Sequence, residues 1–440
     1  MIQQILDLHI HSKYSRACSP SLALPEIAST CQIRGIDIVS TGDFTHPGWF
    51  QHMKESLVES SDGIYRVPRT PLQLPPTRGE RRLVGETKFI LGTEVACIKK
   101  HKGKTRRVHV LLFAPSFETV EKLNAKLSDD GFNVRADGRP ILGMTCKQLL
   151  EYVLEIDNRM VMIPAHAWTP WFGILGSKGG YDSLEEAFEE LTPHIFALET
   201  GLSSDPLMNW RVPMVDHITM ISNSDAHSLA KLGREANVFQ FENEGDITYD
   251  EIFRIIREED RKKFLHTIEF YPEEGKYHID GHRDCHFSCQ PEQTKKYGGL
   301  CPKCKKPLVI GVMNRVVELA GRNEDHARAF GVTNKVPYKS LVPLQEIIAD
   351  SIHVGWQSKK VQAIYHNMID ALGSEFHILL NIDLKTIESV TDKTIANAID
   401  RVRRGDIHIV PGYDGEFGVV KVFGDREERG GVSQSELLLY

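Results

Sequence analysis

The sequence predicts an α/β fold in its first two-thirds, a parallel sheet or barrel, followed by a small cysteine-rich module and a mainly helical domain. Short apolar segments alternate with helical ones over most of the first 270 of the 440 residues, which is the rhythm of a parallel α/β fold. Four closely spaced cysteines follow, and segments with helical spacing fill much of the remainder. The predicted domains are therefore residues 1–270, 271–311 and 312–440.

The first predicted strand ends in two histidines. The apolar run that includes Ile5 and Leu6 reads as a buried strand leading to His9 and His11. Because residues i and i+2 of a strand point to the same side, the two imidazoles project together. Such a pair suits a divalent metal ion, although two ordinary histidines on a half-exposed strand would give the same pattern.

The elements that follow keep the order of helix, strand and polar residue. A helix over 24–34 has Pro25 in its first turn and Gly35 as its stop, and a strand over 36–40 leads to Asp43. Further strands are predicted at 89–91, 108–113, 160–163, 195–199 and 218–222, and helices at about 117–128 and 146–156. Residues 51–83, rich in Pro and Arg, predict a long surface loop near the mouth of the barrel.

Nearly every candidate metal ligand comes just after one of these strands, where α/β barrels place their active sites. The candidates are six histidines and three carboxylates: His9, His11, Asp43, His46, Glu94, His109, His166, Asp225 and His227. They predict two or three divalent ions (Zn, Mn, Mg or Fe). A cluster of this kind serves phosphoester hydrolysis, since one ion activates water while its neighbour neutralises the phosphate. The predicted catalytic residues are Asp225, Glu94 and His227.

The composition is that of a globular protein without a membrane span. The net charge of −7 argues against wholesale binding of nucleic acid, but the basic residues are clustered, and a patch matters more than the total for binding phosphates. No apolar run is long enough to cross a bilayer, and the first residues lack a signal-peptide pattern. We therefore expect a cytoplasmic monomer that makes no membrane contact.

The cysteine cluster predicts a structural zinc site. Cys285, Cys289, Cys301 and Cys304 are spaced as C-x3-C-x11-C-x2-C, and the second pair is typical of a zinc ribbon. Thiolate coordination would fold a segment too small to have a core of its own. His282 and His286 could each substitute for one of the cysteines. The neighbouring lysines favour contact with backbone phosphates.

The ordered set of strand-end motifs resembles the PHP (polymerase and histidinol phosphatase) family over roughly the first 240 residues. The motifs are D-x-H-x-H-S at 7–12, T-G-D at 41–43, G-T-E at 92–94 and S-D-A-H at 224–227, with His109 and His166 between them. The resemblance implies a distorted (β/α)7 barrel with three metal sites. By position these would be formed by His9, His11, Glu94 and Asp225; by Glu94, His109 and His166; and by His227 with Asp43 or His46. Many family members have Asp and His adjacent after the second strand, whereas here they are separated, so the choice between Asp43 and His46 stays open.

The whole chain is similar to the endonuclease Q family of DNA repair nucleases. The resemblance includes the segments 134–140, 164–171 and 411–415 and the order of barrel, four-cysteine module and helical tail. It implies metal-dependent hydrolysis of DNA on the 5′ side of deaminated bases (uracil, hypoxanthine, xanthine) and of abasic sites, with the damaged nucleotide flipped out of the duplex. Damaged DNA is the implied partner, and no protein partner is implied.

The glycine-rich loop 168–181 is the predicted pocket for the damaged base. Its glycines allow close backbone approach, and backbone N–H groups would favour the carbonyl that deamination creates. Candidate contacts with DNA are Arg16, Trp168, Trp171, Phe172, Ser177 and Lys178. The aromatic members could equally pack the rim of the barrel.

Two other functions are compatible with parts of the sequence. A PHP-type phosphomonoesterase acting on a small phosphorylated metabolite would use the same metals, but it needs neither the cysteine module nor the tail. A non-catalytic DNA-binding module with a degenerate barrel is disfavoured by the complete ligand set.

Overall fold

The computed structural model describes residues 1–68 and 86–424. The strands of the barrel region are β1 (Ile2–Asp7), β2 (Ile38–Ser40), β3 (Val58–Ser61), β4 (Ile64–Arg66), β5 (Lys88–Ile90), β6 (Gly92–His101), β7 (Lys104–Phe113), β8 (Ile141–Leu142), β9 (Val161–Pro164), β10 (Ala197–Glu199), β11 (Thr219–Ile221), β12 (Ala236–Phe241) and β13 (Phe264–Glu269). Its helices are α1 (Leu24–Arg34), α2 (Pro47–Ser56), α3 (Phe117–Asp129), α4 (Cys146–Ile156), α5 (Leu184–Phe188), α6 (Pro206–Trp210) and α7 (Tyr249–Arg257).

The remaining elements belong to the cysteine-rich module and the C-terminal region. The module contains β14 (Asp280–His282), β15 (Phe287–Cys289) and α8 (Pro291–Lys296). After it come α9 (Val312–Leu319), α10 (Glu324–Asn334), β16 (Tyr338–Ser340), α11 (Leu344–Ser351), α12 (Lys359–Leu372), α13 (Glu375–Leu380), α14 (Leu384–Val390), α15 (Lys393–Arg404), β17 (His408–Val410) and β18 (Val419–Lys421).

Seven strand segments, with β5 and β6 counted as one continuous segment, close into a distorted barrel, which confirms the predicted fold class. β1 pairs in parallel with β2, and β2 pairs in parallel with β5. The chain continues through Leu91 into β6, which pairs with β7, and β7 pairs with β9. β10 and β11 pair in parallel, and a bridge between Ile10 and Ala226 closes the ring. Gly92 stands where β5 becomes β6 because a Cβ there would lie 2.3 Å from the Ser40 Oγ.

The strand β7 departs from the all-parallel arrangement. It is antiparallel to both β6 and β9, because a tight turn at Gly103 joins β6 directly to β7. The start of β7 therefore lies at the same edge as the end of β9. This is why His109, which directly precedes the part of β7 that pairs with β9, reaches the mouth that other candidate residues reach from strand ends.

The predicted loop 51–83 is largely a different structure where it is described. Residues 47–56 form α2, and residues 58–66 form the hairpin of β3 and β4, which extends the barrel sheet beyond β5. The stretch 69–83, with most of the prolines and arginines that suggested a loop, lies outside the described residues.

The C-terminal region adds a strand to the barrel sheet and shares an apolar core with the barrel. β16 pairs in parallel with β13 and so belongs to the barrel sheet. Helices α11 to α15 share one continuous apolar core with α1 and the barrel. A buried ion pair between Arg34 of α1 and Glu375 of α13 joins the two parts. The boundaries predicted for the three domains stay a prediction.

Within residues 1–68 and 86–424, none of the helices has the length and apolar character needed to cross a membrane.

Candidate metal centre

One set of four side chains converges at the end of β1. His9 and His11 follow that strand, Glu94 lies on β6 and Asp225 follows β11. The ligand atoms of these four residues all lie within 4.8 Å of one another. The His11 Nε2 is 3.2 Å from a Glu94 oxygen and 3.1 Å from an Asp225 oxygen. Donor atoms that surround one ion at about 2.1 Å are themselves about 3.4 Å apart in a tetrahedron, so the spacing fits a single divalent ion.

A second set shares the Glu94 carboxylate with the first. Glu94 Oε1 is 2.7 Å from the His109 Nδ1 and 3.0 Å from the His166 Nε2, while its Oε2 faces His9 and His11. The two imidazole nitrogens are 3.3 Å apart. One buried carboxylate thus presents an oxygen to each set, which is the arrangement of a bridging ligand between two ions.

The His9 ring is oriented as a metal ligand. Its Nδ1 is 3.0 Å from both oxygens of Glu199, while its buried Nε2, directed to Glu94 and Asp225, has no hydrogen-bond partner. A carboxylate on one ring nitrogen fixes the tautomer and leaves the other nitrogen with a lone pair for an ion. An orphaned buried nitrogen is otherwise costly, so the residues present fit a metal.

Glu199 is a functional residue that the sequence reasoning missed. Besides His9, it accepts hydrogen bonds from the His166 backbone N–H (2.7 Å) and the Asn223 side-chain amide (2.8 Å). It therefore ties together the loops after β1, β9 and β11. Glu199 stands at the end of the apolar run 195–199. The same strand-end position identified the predicted metal ligands, so it could also have identified Glu199.

The backbone is strained at three of the predicted residues. Asp43, His166 and Asp225 have φ angles of 50°, 32° and 46°, in the left-handed region that side chains other than glycine rarely adopt. Each follows a strand, where a sharp turn aims the side chain into the pit. Strain of this kind persists where the surrounding structure and a functional geometry demand it.

The electrostatics of the pit favour the metal-binding protonation states of His109 and Glu94. Burial lowers the pKa of His109, which leaves that imidazole neutral. Burial alone would raise the pKa of Glu94, but His109, His11 and His166 hold the pKa of that carboxyl well below its usual range. A neutral imidazole and an ionised carboxylate are the forms that bind metals.

The third predicted metal site is not assembled as a compact set among the described residues. One oxygen of Asp43 accepts hydrogen bonds from the backbone N–H and the hydroxyl of Ser12, both at 2.7 Å. The other oxygen lies 3.2 Å from the His11 Nδ1. His46 stacks on Tyr14 and keeps a buried, unpartnered Nδ1. The ring of His227 lies 4.5 Å from that of His11. Asp43 thus orients His11, and His46 is the residue with a free ligand atom.

Comparison with known proteins places this site in a family. A family model described as the MJ0043 C-terminal domain matches residues 343–406. Uncharacterized protein MJ0043 of Methanocaldococcus jannaschii is 32% identical over 278 residues, which is 61% of this chain; the chain covers 34% of the length of that relative. The chain in the crystal structure of the lesion-specific endonuclease PfuEndoQ from Pyrococcus furiosus is 30% identical in sequence to this chain. The match covers 98% of this chain and 100% of the PfuEndoQ chain, with a TM-score of 0.80.

The chain belongs to the endonuclease Q family. A structure of Endonuclease Q in complex with a 27-mer duplex that carries an abasic lesion at the active site is also 30% identical, and the match covers 99% of this chain and 100% of the other with a TM-score of 0.78.

The predicted base pocket of this endonuclease Q member lies beside the second ligand set. The Phe172 ring stacks on the His109 ring with centroids 4.2 Å apart. The backbone N–H of His109 donates to the backbone carbonyl of Phe172 at 2.9 Å. Two arginines stabilise the loop through its backbone carbonyls: Arg106 donates to that of Gly180, and Arg315 donates to those of Leu175 and Tyr181. Ser177 and Lys178 are exposed on a cavity of about 270 Å³.

Two expectations about this loop need correction. Trp168 is 1% exposed, and its indole N–H donates to Asn209, so the ring packs in the core and is not available to stack on a base. Trp171 is 54% exposed and is available. Several loop N–H groups that were expected to face a base, including those of Gly173, Gly176 and Gly180, already donate to carbonyls inside the loop. These three backbone N–H groups are therefore not free to contact a base.

One set of candidate zinc ligands in this endonuclease Q member differs from the four predicted cysteines in a single residue. His282, Cys285, Cys301 and Cys304 have ligand atoms within 4.8 Å of one another. Cys289 lies outside this set, and its Sγ is 3.3 Å from the Thr294 hydroxyl. The hairpin explains the change: Cys289 pairs with Asp280 at its open end, whereas His282 borders its turn and Cys285 lies within the turn. We propose that the site is H-x2-C-x15-C-x2-C.

Zinc content separates the two ligand assignments. Cys301→Ser is expected to lower the metal content by about one zinc per chain and to loosen the module, because thiolate coordination stabilises a segment with little core. Cys289→Ser is the matched control and is expected to keep that zinc. Elemental analysis of the purified proteins checks both. Zinc lost from Cys289→Ser but retained in His282→Ala would restore the original assignment.

Proposed function

We propose that this protein is a DNA repair endonuclease that hydrolyses the phosphodiester on the 5′ side of deaminated bases and abasic sites. The observation that carries the proposal is the pair of ligand sets joined by Glu94, in a chain that matches a lesion-specific endonuclease along nearly its full length. A two-ion site is suited to in-line displacement at phosphorus.

The side chains of the pit divide into ligands and supports. Divalent ions bound there would activate water and neutralise charge on the phosphate. His9, His11, Glu94 and Asp225 would hold one ion, and Glu94, His109 and His166 a second. A third site, formed by His227 with Asp43 or His46, stays a prediction. Zn, Mn, Mg and Fe are all compatible with imidazole and carboxylate donors.

The supports keep the ligand atoms in place during the reaction. Glu199 holds the His9 ring, and Asp43 holds the His11 ring. Outer-shell carboxylates of this kind are worth about 10-fold to 100-fold in metal affinity or activity. Asp225 and His227 have the more exposed side chains, 24% and 34%, while those of His9 and Glu94 are nearly inaccessible. The substrate phosphate is therefore expected on the Asp225 side of the pit.

Lesion selectivity is assigned to the loop beside His109. A damaged base that leaves the stack would enter between Trp171 and Phe172, where an aromatic ring can stack on it or fill the gap in the duplex. Ser177 and Lys178 supply polar groups at the adjacent cavity. Arg16, with a side chain that is 84% exposed, is placed to contact a backbone phosphate. Mispaired and baseless nucleotides flip at the lowest cost, which agrees with the proposed substrates.

A nicking assay tests the proposed function. A labelled duplex with a single internal dU, dI, dX or abasic site is incubated with Mn²⁺ or Mg²⁺, and the expected product is one nick 5′ to the lesion with a 3′-hydroxyl and a 5′-phosphate. The undamaged duplex of the same sequence is expected to stay intact. Equal cutting of the two duplexes would remove lesion specificity. Rapid hydrolysis of p-nitrophenyl phosphate with all the DNA intact would favour the phosphomonoesterase.

A further inference from the structure

A guanidinium group lies at the open side of the pit and was not among the predicted site residues. Arg139 Nη1 donates to Glu94 Oε2 at 2.9 Å, and the side chain of Arg139 is 25% exposed. Because Glu94 belongs to both ligand sets, this contact places the guanidinium beside both of them. We propose that Arg139 binds the scissile phosphate of the DNA and stabilises its charge during hydrolysis. This inference rests on the proposed function.

The loop that carries Arg139 is fixed to the mouth of the barrel. The Gly138 N–H donates to the Tyr14 carbonyl, and Asp137 Oδ1 accepts from the backbone N–H groups of Arg16 and Arg139. Pro140 accepts from Ala96 of β6. The loop is therefore held against the segment after β1 and against the strand of Glu94. A side chain on such a base keeps its direction when a substrate arrives.

Glycine at position 138 is what lets this loop approach so closely. A Cβ at Gly138 would lie 2.4 Å from Asp43 Oδ2 and 2.5 Å from the Ser15 Oγ. The backbone of the Arg139 loop thus rests directly on the carboxylate that orients His11. The next residue along the chain, Arg139, is carried over the metal ligands as a result.

The chemistry at this position favours a phosphate as the partner of Arg139. Glu94 is the shared ligand of the two sets, so ions bound there would compete for the lone pairs that the guanidinium uses. A phosphodiester placed over the ions is the anion that the reaction itself brings to this place. Arginine donates two parallel hydrogen bonds to phosphate oxygens, stays charged at any working pH and so suits charge that develops in a transition state.

The other cations near the mouth are placed differently. The Arg16 side chain is 84% exposed and lies beside Asp137 at 3.9 Å, so it is suited to a flanking phosphate in solvent. Arg135 is also exposed. Among the described contacts of these three arginines, the guanidinium of Arg139 is the one that contacts a predicted metal ligand, whereas Arg135 contacts His46 through its backbone. The place of Arg139 is that of a catalytic residue, whereas that of the other two is that of a general DNA contact.

Kinetics of three proteins test the proposal: the wild type, Arg139→Ala and Arg139→Lys. On the dU duplex, Arg139→Ala is expected to lose about 100-fold in kcat/KM, and Arg139→Lys is expected to recover part of the loss through its charge. Metal content and melting temperature are expected to match the wild type. Arg159→Ala, which removes an exposed arginine that pairs with Asp62 and Asp250, is the matched control and is expected to nick normally.

A binding cycle shows which atom Arg139 contacts. In the non-cleaving Asp225→Asn background, fluorescence anisotropy compares a phosphate with a methylphosphonate at the single linkage 5′ to dU. Loss of the phosphate charge is expected to weaken binding about 10-fold more when Arg139 is present than in Arg139→Ala, where only the bound ions still contact the charge. An equal effect in both backgrounds would overturn the proposal, as would loss of bound metal from Arg139→Ala. A wild type that leaves the dU duplex intact would instead overturn the proposed function, and Arg139→Ala nicking at the wild-type rate would overturn this inference alone.

Discussion

Glu94→Gln is expected to reduce nicking of a dU duplex by about 1,000-fold, a loss of about 4 kcal/mol of transition-state stabilisation. The reason is that Glu94 presents one oxygen to His9 and His11 and the other to His109 and His166. An amide keeps the size of the side chain, but it removes the charge and puts a donor where an ion is expected. Both ion sites are therefore damaged by one change. Steady-state nicking rates and metal content check the result.

The matched control for Glu94 is another buried acid, Glu269. Burial raises the pKa of Glu269 to about 8, so the carboxyl is largely protonated at pH 7, and the hydroxyl groups of Thr200 and Thr267 contact its oxygens. Glu269→Gln therefore exchanges one neutral group for another and is expected to keep near-normal nicking. If Glu94→Gln retained its metal and cut DNA within 10-fold of the wild type, the bridging role of Glu94 would be wrong.

Glu375→Ala is expected to lower the free energy of unfolding by about 3–5 kcal/mol. Glu375 is buried between the barrel and the C-terminal helices, where it pairs with Arg34 and accepts from the Tyr365 hydroxyl at 2.7 Å and the Leu344 N–H at 2.9 Å. Removal of the carboxylate leaves the Arg34 guanidinium, 8% exposed, charged and without its ion-pair partner. Urea unfolding and thermal melting of the full chain measure the effect.

Two further variants show that the effect comes from the buried charge. Glu388→Ala removes an exposed acid from α14 of the same region and is expected to change stability by less than about 0.5 kcal/mol. The double variant Arg34→Met with Glu375→Leu replaces the ion pair by apolar groups and is expected to recover much of the lost stability. A Glu375→Ala protein as stable as Glu388→Ala would show that this ion pair does not hold the two regions together.

The strand-end residues were predictable because a local rule decides their direction. Alternation along β1 fixes that His9 and His11 face the same way, and an apolar strand followed by a polar residue marks the mouth of a barrel. Glu94 and Asp225 obey the same rule. Glu199 obeys it too, but one glutamate at the end of a strand carries no partner in the sequence, and its role appears only when His9 and Asn223 are seen beside it.

What the sequence could not give depends on contacts between distant segments. The direction of β7 follows from a turn at Gly103 that the strand pattern does not reveal. The proposal of His282 in place of Cys289 rests on the register of a short hairpin, whereas the spacing of the cysteines alone favoured the four thiols. Nothing in the sequence separates Arg139 from the other arginines. Its position beside the predicted ligands depends on the close contact of Gly138 with Asp43.

The pairing of β16 with β13 has a consequence for how the chain is made. Thr267 donates to the Pro337 carbonyl, and Leu341 donates to the Glu269 carbonyl, so the sheet receives its last strand some seventy residues after its neighbour has left the ribosome. Until then β13 presents open hydrogen-bonding groups, a template for pairing with another nascent chain. The cysteine hairpin and the proposed zinc ligands lie within the intervening stretch, so early capture of zinc would shorten the span that must be closed and would speed the sealing of the sheet.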